Sequence, residues 1–260
     1  MSASSWDDLR PRLLSGAAMA LVGILGVYLG GVWFQMLTVF ATAVMVWELW
    51  MMISPDAPVP GMLMAAGVAS ILSGLFAAPA IWPLAFVPPL IGVLILSRER
   101  LTFFGFAFAI ILAGWGLVSF RADHGMVWIV WLILVVVTTD VAGYFAGRIF
   151  GGPKFWPAIS PKKTWSGTAA GWIGAGLVGL IFHLTTPAGV DLIWISALVS
   201  FASQMGDIAE SALKRRMRVK DSSTLIPGHG GLFDRFDGLL GAAIVMLIAE
   251  LIVDVPKVSL

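Results

Sequence analysis

Long apolar runs occupy most of this 260-residue chain and constrain its fold more than any other feature. A helix of about 20 apolar residues is long enough to cross the ~30 Å hydrocarbon layer of a bilayer. Nine such runs occur, near residues 13–30, 32–53, 61–78, 80–97, 101–119, 127–148, 168–186, 191–211 and 237–255. The sequence therefore predicts an all-α, polytopic integral membrane protein with about nine transmembrane helices.

Composition supports the same fold class. Hydrophobic residues make up 59% of the chain and charged residues 12%, whereas soluble domains average roughly 45–50% and about 25%. A soluble surface needs more polar residues than this chain has. The absence of cysteine excludes a disulfide framework, a zinc-thiolate site and a cysteine nucleophile. Because the loops between runs are short, we expect residues 1–260 to form a single transmembrane domain.

The basic residues predict an orientation. If the amino terminus is cytoplasmic, all but two of the 16 Lys and Arg residues, beginning with Arg10 and Arg12, lie on the cytoplasmic side. The exceptions are Arg121 and Lys257. This bias follows the positive-inside rule, and it predicts that both large polar loops, 149–166 and 212–236, face the cytoplasm. We expect a multi-pass protein of the inner (cytoplasmic) membrane.

Acidic residues inside apolar runs need an explanation, because an ionised side chain at the centre of a membrane helix costs about 2.5–3.5 kcal/mol. Glu48 and Glu250 lie singly near the ends of their runs, where they either snorkel to the interface or cap a local contact. Asp140 lies within the sixth run, and Tyr144 follows one helical turn later on the same face. Asp140 either serves a functional polar site or bonds to a neighbouring helix.

Two further acidic pairs have helical i, i+3 spacing near the cytoplasmic interface: Asp207 with Glu210, and Asp234 with Asp237. Dense carboxylate clusters suit a hard cation such as Mg²⁺, which prefers oxygen ligands and substrate phosphates. The alternative is ion pairing with the five basic residues of segment 214–220, which are also suited to anionic lipid headgroups.

Two loop segments favour the metal and phosphate interpretation. The glycine cluster in 227–231 lets backbone N–H groups approach anionic oxygens closely. Segment 160–167 places two lysines and three hydroxyls before the seventh run, where a helix amino terminus attracts anions. The alternative for segment 160–167 is a helix cap with a positive-inside anchor.

The region 211–237 resembles the signature of the phosphatidate cytidylyltransferase (CDP-diacylglycerol synthase) family. The matching residues are Ser211-Ala-Leu-Lys214-Arg215, Lys220-Asp221, and Pro227-x-His229-Gly230-Gly231-x-x-Asp234-Arg235-x-Asp237. Weaker family-like blocks lie at 140–144 and 160–167. The chain departs from the family pattern at Ser166, where Glu is common, at Ser223, where Gly is frequent, and at Gly143, where Ala is frequent.

This resemblance implies an enzyme that transfers CMP from CTP to phosphatidic acid, giving CDP-diacylglycerol and pyrophosphate. It implies Mg²⁺, with a second cation possible in the same site, bound by Asp207, Asp221, Asp234 and Asp237. The implied catalytic residues are Asp207, Lys214, Lys220, Asp221, His229, Asp234, Arg235 and Asp237. The implied substrate-binding residues are Asp140, Tyr144, Ser160, Lys162, Lys163, Thr164, Ser211, Arg215, Gly230 and Gly231.

The resemblance also implies a homodimer in contact with membrane lipids and no nucleic-acid partner. Three Gly-x-x-x-Gly motifs, beginning at Gly26, Gly143 and Gly167, provide small faces for helix packing, either within one chain or between two.

The residues are also compatible with two other functions. One is a CTP-dependent lipid kinase acting on an alcohol such as a polyprenol or phytol. The other is a cation-coupled membrane transporter, because intramembrane acids often mark ion pathways. Against the transporter, the acids cluster with lysines on one side, and no inverted repeat is apparent between the halves of the chain.

Overall fold

The computed structural model describes residues 4–258; the side chains of residues 4–10, Arg10 among them, and of Pro79 lie outside the description. The described residues form mainly α-helices. Their bounds are α1 Ser4–Leu29, α2 Gly31–Ile53, α3 Pro58–Ala77, α4 Val87–Ile95, α5 Arg100–His124, α6 Met126–Phe150, α7 Trp165–Thr185, α8 Leu192–Met217 and α9 Phe233–Glu250. A 3₁₀ helix, Pro79–Phe86, precedes α4.

Seven of the described helices are long and apolar enough to cross a membrane: α1 from Pro11 onward, α2, α3, α5, α6, α7 and α8. The prediction of an all-α, multi-pass membrane protein is thereby confirmed. The fourth predicted run is a shorter apolar helix, Ala80–Ile95, broken by prolines. The ninth run corresponds to α9, which has 18 residues and carries Asp234 in its first turn. The count of nine stays a prediction.

A small β-hairpin departs from the purely helical expectation. Strand β1, Lys154–Trp156, pairs antiparallel with β2, Ser160–Thr164. Thr164 ends the hairpin and caps α7, because its side-chain oxygen accepts a hydrogen bond from Gly167 N at 3.2 Å. The hairpin therefore fixes the start of α7 and the position of the lysines on β2.

The chain divides into two compact units. The first comprises Met1–Val118 and Arg216–Phe236, and the second comprises Ser119–Arg215 and Asp237–Leu260. A single domain over 1–260 stays a prediction, and the two units are described separately below.

In the first unit, the core forms around the buried face of α2. Trp50 packs edge-to-face on Phe103, with ring centroids 5.6 Å apart, and its Nε1 donates to Ala57 O at 2.9 Å. Gly61 of α3 makes room for the indole, since a Cβ there would lie 2.6 Å from Trp50 Cδ1. Large apolar side chains such as Leu94 and Leu101 stay exposed, as expected of helix faces that contact lipid.

In the second unit, α6 and α7 pack through the predicted small faces. A Cβ at Gly167 would lie 2.5 Å from Gly143 O, and a Cβ at Gly147 would lie 2.8 Å from Thr164 Oγ1. These Gly-x-x-x-Gly motifs therefore serve packing within one chain. Thr139 Oγ1 also donates to Ser200 Oγ at 2.7 Å, which joins α6 to α8 by a buried hydrogen bond.

Candidate active site

An ion pair between Lys163 and Asp207 lies at the centre of the polar cluster in the second unit. Lys163 belongs to β2 and Asp207 to α8, and the lysine Nζ lies 2.5 Å from a carboxylate oxygen. Ser211 Oγ donates to Asp207 Oδ1 at 3.2 Å. The Lys163 and Asp207 side chains are 24% and 36% exposed, so the pair is open to exchange with a ligand.

Two more carboxylates of the same unit, Asp140 on α6 and Asp237 on α9, are close enough to Asp207 to interact with it through charge. Small residues permit this approach. A Cβ at Gly206 would lie 2.3 Å from Asp237 O, and a Cβ at Gly241 would lie 2.3 Å from Ala202 O. The backbones of α8 and α9 therefore meet beside the acids. The sequence analysis overlooked these two glycines, although Ala202 and Gly206 form a small i, i+4 pair that was a visible signal.

A second ion pair on α8 joins Lys214 to Glu210, with Nζ and Oε2 2.5 Å apart at i, i+4 spacing. The Glu210 side chain is only 1% exposed. In the predicted i, i+3 pair, Asp207 therefore binds Lys163 and Glu210 binds Lys214. Lys214 also acts electrostatically on Asp237, so the second unit combines three neighbouring aspartates with two lysines.

In the first unit, Asp234 organises the glycine-containing loop. Its Oδ2 accepts hydrogen bonds from Ser222 N, Ser222 Oγ and Gly231 N, each at 2.8 Å. Gly230 has φ +82°, and a Cβ there would lie 2.8 Å from Asp234 Oδ2 and 3.2 Å from Asp221 Cβ. The two predicted acids Asp221 and Asp234 therefore both adjoin Gly230.

Glu48 of α2 is a member of this cluster that the sequence analysis did not include among the site residues. Its carboxylate is 0% exposed. It accepts hydrogen bonds from Leu232 N and Phe233 N, at 2.8 and 2.7 Å, at the start of α9. The sequence allowed Glu48 either to snorkel to the interface or to cap a local contact, and these hydrogen bonds agree with the cap. A single sequence holds no signal that pairs residue 48 with residues 232–233.

His229 and Arg235 contact each other and α1. Arg235 Nε donates to His229 O at 3.1 Å, and His229 Nδ1 lies 2.9 Å from Ser15 Oγ. Gly228, with φ +74°, leaves room for the Arg12 side chain. The turn at 227–229 is therefore packed against the first helix of its own unit.

Comparison with known proteins agrees with these motifs. Residues 10–252 match the sequence profile of the cytidylyltransferase family. The chain belongs to the cytidylyltransferase family. A phosphatidate cytidylyltransferase of Brucella suis is 44% identical over 142 residues, which cover 53% of each chain. A phosphatidate cytidylyltransferase of Bacillus subtilis is 41% identical over 121 residues, 45% of each chain.

A phosphatidate cytidylyltransferase of Staphylococcus saprophyticus is 35% identical over 160 residues, which cover 58% of this chain and 61% of the relative. The chain spans about half the length of the curated relatives it matches. The predicted family is confirmed.

Several other predicted site residues have no described contact with the acidic side chains of these clusters. Tyr144 OH accepts a hydrogen bond from Arg148 at 2.8 Å, and its side chain is 58% exposed. Thr164 caps α7. Ser160 and Lys162 lie on the hairpin, and the side chains of Lys162, Arg215 and Lys220 are exposed.

Two of the residues that depart from the family pattern, Ser166 and Ser223, make defined hydrogen bonds. Ser166 Oγ donates to Gly151 O at 2.5 Å, so it fastens the α6–β1 connection to the start of α7. Ser223 Oγ donates to Glu48 Oε1 at 2.6 Å. Both serines therefore act as local hydrogen-bond donors.

Aspartate oxygens are the donors that Mg²⁺ prefers, so the aspartates of this cytidylyltransferase family member suit that cation chemically. Within residues 4–258, however, no three acidic or histidine side chains are already gathered in a metal-binding arrangement. The fit of Mg²⁺ thus rests on donor chemistry and on the family signature.

Proposed function

We propose that this chain is a CTP:phosphatidate cytidylyltransferase that transfers CMP from CTP to phosphatidic acid, releasing CDP-diacylglycerol and pyrophosphate. The observation that carries the proposal is the cluster of Asp207, Asp237 and Asp140 with Lys163 in the second unit. Family membership and the names of the relatives support the same reaction.

The reaction explains why this cluster contains charges and no strong general base. A phosphate monoester has its second pKa near 6, so the lipid phosphate is already a nucleophile at neutral pH. Its oxygen attacks the α-phosphorus of CTP, and the bond from that phosphorus to the β-phosphate oxygen breaks. Pyrophosphate leaves with the electron pair. The work of the protein is to bring two anions together.

The lysines of the second unit are the proposed phosphate ligands. Lys163 exchanges the Asp207 carboxylate for a phosphate oxygen when substrate arrives, and Lys214 adds positive charge nearby. Lys162, Lys220 and Arg235 are proposed to extend phosphate binding. His229 is proposed to donate to a phosphate oxygen.

Mg²⁺ is the proposed cofactor, with a second cation possible. The resemblance assigns its ligands to Asp207 and Asp237 of the second unit and to Asp221 and Asp234 of the first. When bound by these carboxylates, the cation would supply positive charge to offset that of the departing pyrophosphate. Support comes from the carboxylate oxygens and from the signature that contains them.

The proposed setting is the cytoplasmic face of the inner membrane, with nine spans, a cytoplasmic amino terminus and lipid around the exposed apolar faces. A homodimer without nucleic acid is proposed from the resemblance. The distribution of lysine and arginine supports the orientation.

The natural absence of cysteine makes the orientation testable. Single cysteines at exposed Ala158 and Val190 lie in loops predicted to face opposite sides. An impermeant maleimide applied to intact spheroplasts is expected to label Val190→Cys at once and Ala158→Cys only after lysis. The reverse pattern would contradict the orientation.

The reaction is tested with purified protein, phosphatidic acid, CTP and Mg²⁺, by measuring pyrophosphate and CDP-diacylglycerol together. Equal amounts of both products are expected, and both are expected to vanish in Asp234→Asn. Asp191→Asn is the matched control, because Asp191 lies outside the acidic clusters and accepts from Trp194 Nε1. Formation of CDP from a lipid alcohol, with neither expected product, would instead indicate the kinase.

A further inference from the structure

Glu48 lies far from the signature in sequence but accepts three hydrogen bonds from it and has a fourth, longer contact. Each carboxylate oxygen receives one backbone amide, and a serine hydroxyl lies beside each oxygen. Oε1 accepts from Leu232 N at 2.8 Å and Ser223 Oγ at 2.6 Å. Oε2 accepts from Phe233 N at 2.7 Å, and Ser222 Oγ lies 3.3 Å away.

These contacts provide acceptors for the backbone N–H groups at the start of α9. The first amides of a helix have no partner within the helix and attract negative charge. Glu48 supplies that charge from α2, while Phe233 is buried and packs edge-to-face on Phe106 with centroids 6.2 Å apart. The first turn of α9 is therefore held by both a carboxylate and an aromatic contact.

Ser222 links Glu48 to Asp234. Its hydroxyl lies 2.8 Å from Asp234 Oδ2 and 3.3 Å from Glu48 Oε2. The hydroxyl has one hydrogen, so the shorter contact to Asp234 is the stronger one. Ser222 therefore lies between the two carboxylates, with its hydrogen directed to Asp234.

Gly231 shows how closely Glu48 approaches this loop. A Cβ at position 231 would lie 2.0 Å from Ser222 Oγ and 2.5 Å from Glu48 Oε1. In this arrangement the second glycine of the His-Gly-Gly motif faces the chain's own carboxylate. The close packing against Ser222 and Glu48 therefore explains why position 231 has no side chain, without any bound phosphate.

We infer that Glu48 is a positioning residue of the active site: it fixes segment 222–233 and, through Ser222 and Gly231, the orientation of Asp234. This inference rests on the proposed function, because it gives Asp234 a role in the reaction. Glu48 does not touch the substrates. Its contribution is the geometry of the groups that do.

The test uses full-length protein in lipid nanodiscs and the isosteric variant Glu48→Gln. A glutamine keeps one acceptor oxygen, but its NH₂ group faces an amide N–H where an acceptor is needed. We expect kcat to fall by about tenfold to 10²-fold, because small misplacement of reacting groups has effects of that size. The KM for CTP is expected to stay within about twofold, since Glu48 does not contact CTP.

Amide hydrogen exchange supplies a readout that does not depend on activity. In Glu48→Gln, the peptide covering 222–233 is expected to exchange at least about tenfold faster, because fewer bonds hold it closed. Glu48→Asp retains the carboxylate and is expected to restore part of the kcat and the protection. The control Glu250→Gln changes an acid paired with His124 in the second unit and should alter neither.

Unchanged kcat, or unchanged exchange in 222–233, would overturn the inference. If Glu48→Gln does not accumulate, Ser222→Ala with Ser223→Ala removes the hydroxyl donors from the other side, and the same two outcomes decide. Wild-type protein that makes no CDP-diacylglycerol would contradict the proposed function. The exchange comparison would then decide by itself whether Glu48 holds the segment.

Discussion

Glu48 and Asp234 of the first unit are stabilised by a different kind of partner from Asp207 and Glu210 of the second unit. In the first unit, Glu48 and Asp234 accept hydrogen bonds from backbone amides and serine hydroxyls. In the second unit, Asp207 pairs with Lys163 and Glu210 pairs with Lys214. Backbone donors are fixed by the fold, whereas a lysine on a flexible stem can exchange one anion for another.

This difference separates two tasks within one signature. Carboxylates bound by amides hold the loop and the start of α9 in place. The carboxylate paired with Lys163 is partly exposed, and under the proposed function it releases its lysine to a phosphate. We therefore expect substitutions of Asp207 and Lys163 to affect the reaction with little change in stability, and substitutions around Glu48 to affect the order of the loop as well.

Apart from the loss of both products expected for Asp234→Asn, the largest effect is expected from Asp237→Asn. Removing this carboxylate takes away a charge from the cluster of Asp140 and Asp207, and we expect kcat/KM to fall about 10²-fold or more, or about 2.7 kcal/mol. The measurement is the initial rate of CDP-diacylglycerol formation. Asp191→Asn serves as control, and equal rates for Asp237→Asn and wild type would remove Asp237 from the active site.

Next in size is the effect of Gly231→Ala on stability. The new Cβ would overlap Ser222 Oγ and Glu48 Oε1, and overpacking of this kind costs about 1–3 kcal/mol. We expect a lower Tm in detergent. Gly67→Ala is the matched control, since a Cβ at Gly67 meets nothing within 4 Å. If Gly231→Ala and Gly67→Ala have the same Tm, the close approach of Glu48 to Gly231 is wrong.

A smaller effect is expected from Lys163→Gln. Loss of one phosphate ligand should raise the KM for CTP about tenfold, equivalent to about 1.4 kcal/mol, and leave the Tm near that of wild type. Lys154→Gln is the control on the same hairpin, because Lys154 is exposed and lies on β1. If Lys154→Gln raised the KM for CTP more than Lys163→Gln, the phosphate ligand would be Lys154 and the proposed role of Lys163 would be wrong.

The smallest effect concerns Glu99, in the connection before α5. Hydrogen bonds from Thr102 and Arg216 hold the pKa of Glu99 below its ordinary value. A lowered carboxylate pKa stabilises the fold at neutral pH, and this stabilisation is lost as pH falls through the folded-state pKa. The Tm difference between wild type and Glu99→Gln should therefore be slight at pH 7 and vanish toward acid. A difference that grows in acid would contradict this sign.

The sequence predicted the helices well because their apolar runs are long. It placed the ends less accurately. Helix α8 continues to Met217, beyond the predicted 211, because its charged last turns extend past the apolar run. Helix α9 begins at Phe233, before the predicted 237, where Glu48 caps its amides. The hairpin at 154–164 was read as a polar loop.

The candidate site was predictable only in part. The signature and its resemblance identified the acids and lysines, but the partners of these residues come from distant elements. Glu48 and Leu232 are 184 positions apart, and no local pattern in one sequence joins them. Gly231 stays a predicted phosphate contact, and its close fit against Ser222 and Glu48 is a feature that the sequence alone did not indicate.

The most direct test of the division between the two carboxylate sets is a paired measurement of rate and Tm on Asp207→Asn and Glu48→Gln. The account predicts that Asp207→Asn loses about 10²-fold or more in rate while its Tm stays near that of wild type. Glu48→Gln should lose rate and also melt at a lower temperature, since a buried carboxylate acceptor is gone. An active Asp207→Asn, or a Glu48→Gln as stable as wild type, would contradict the account.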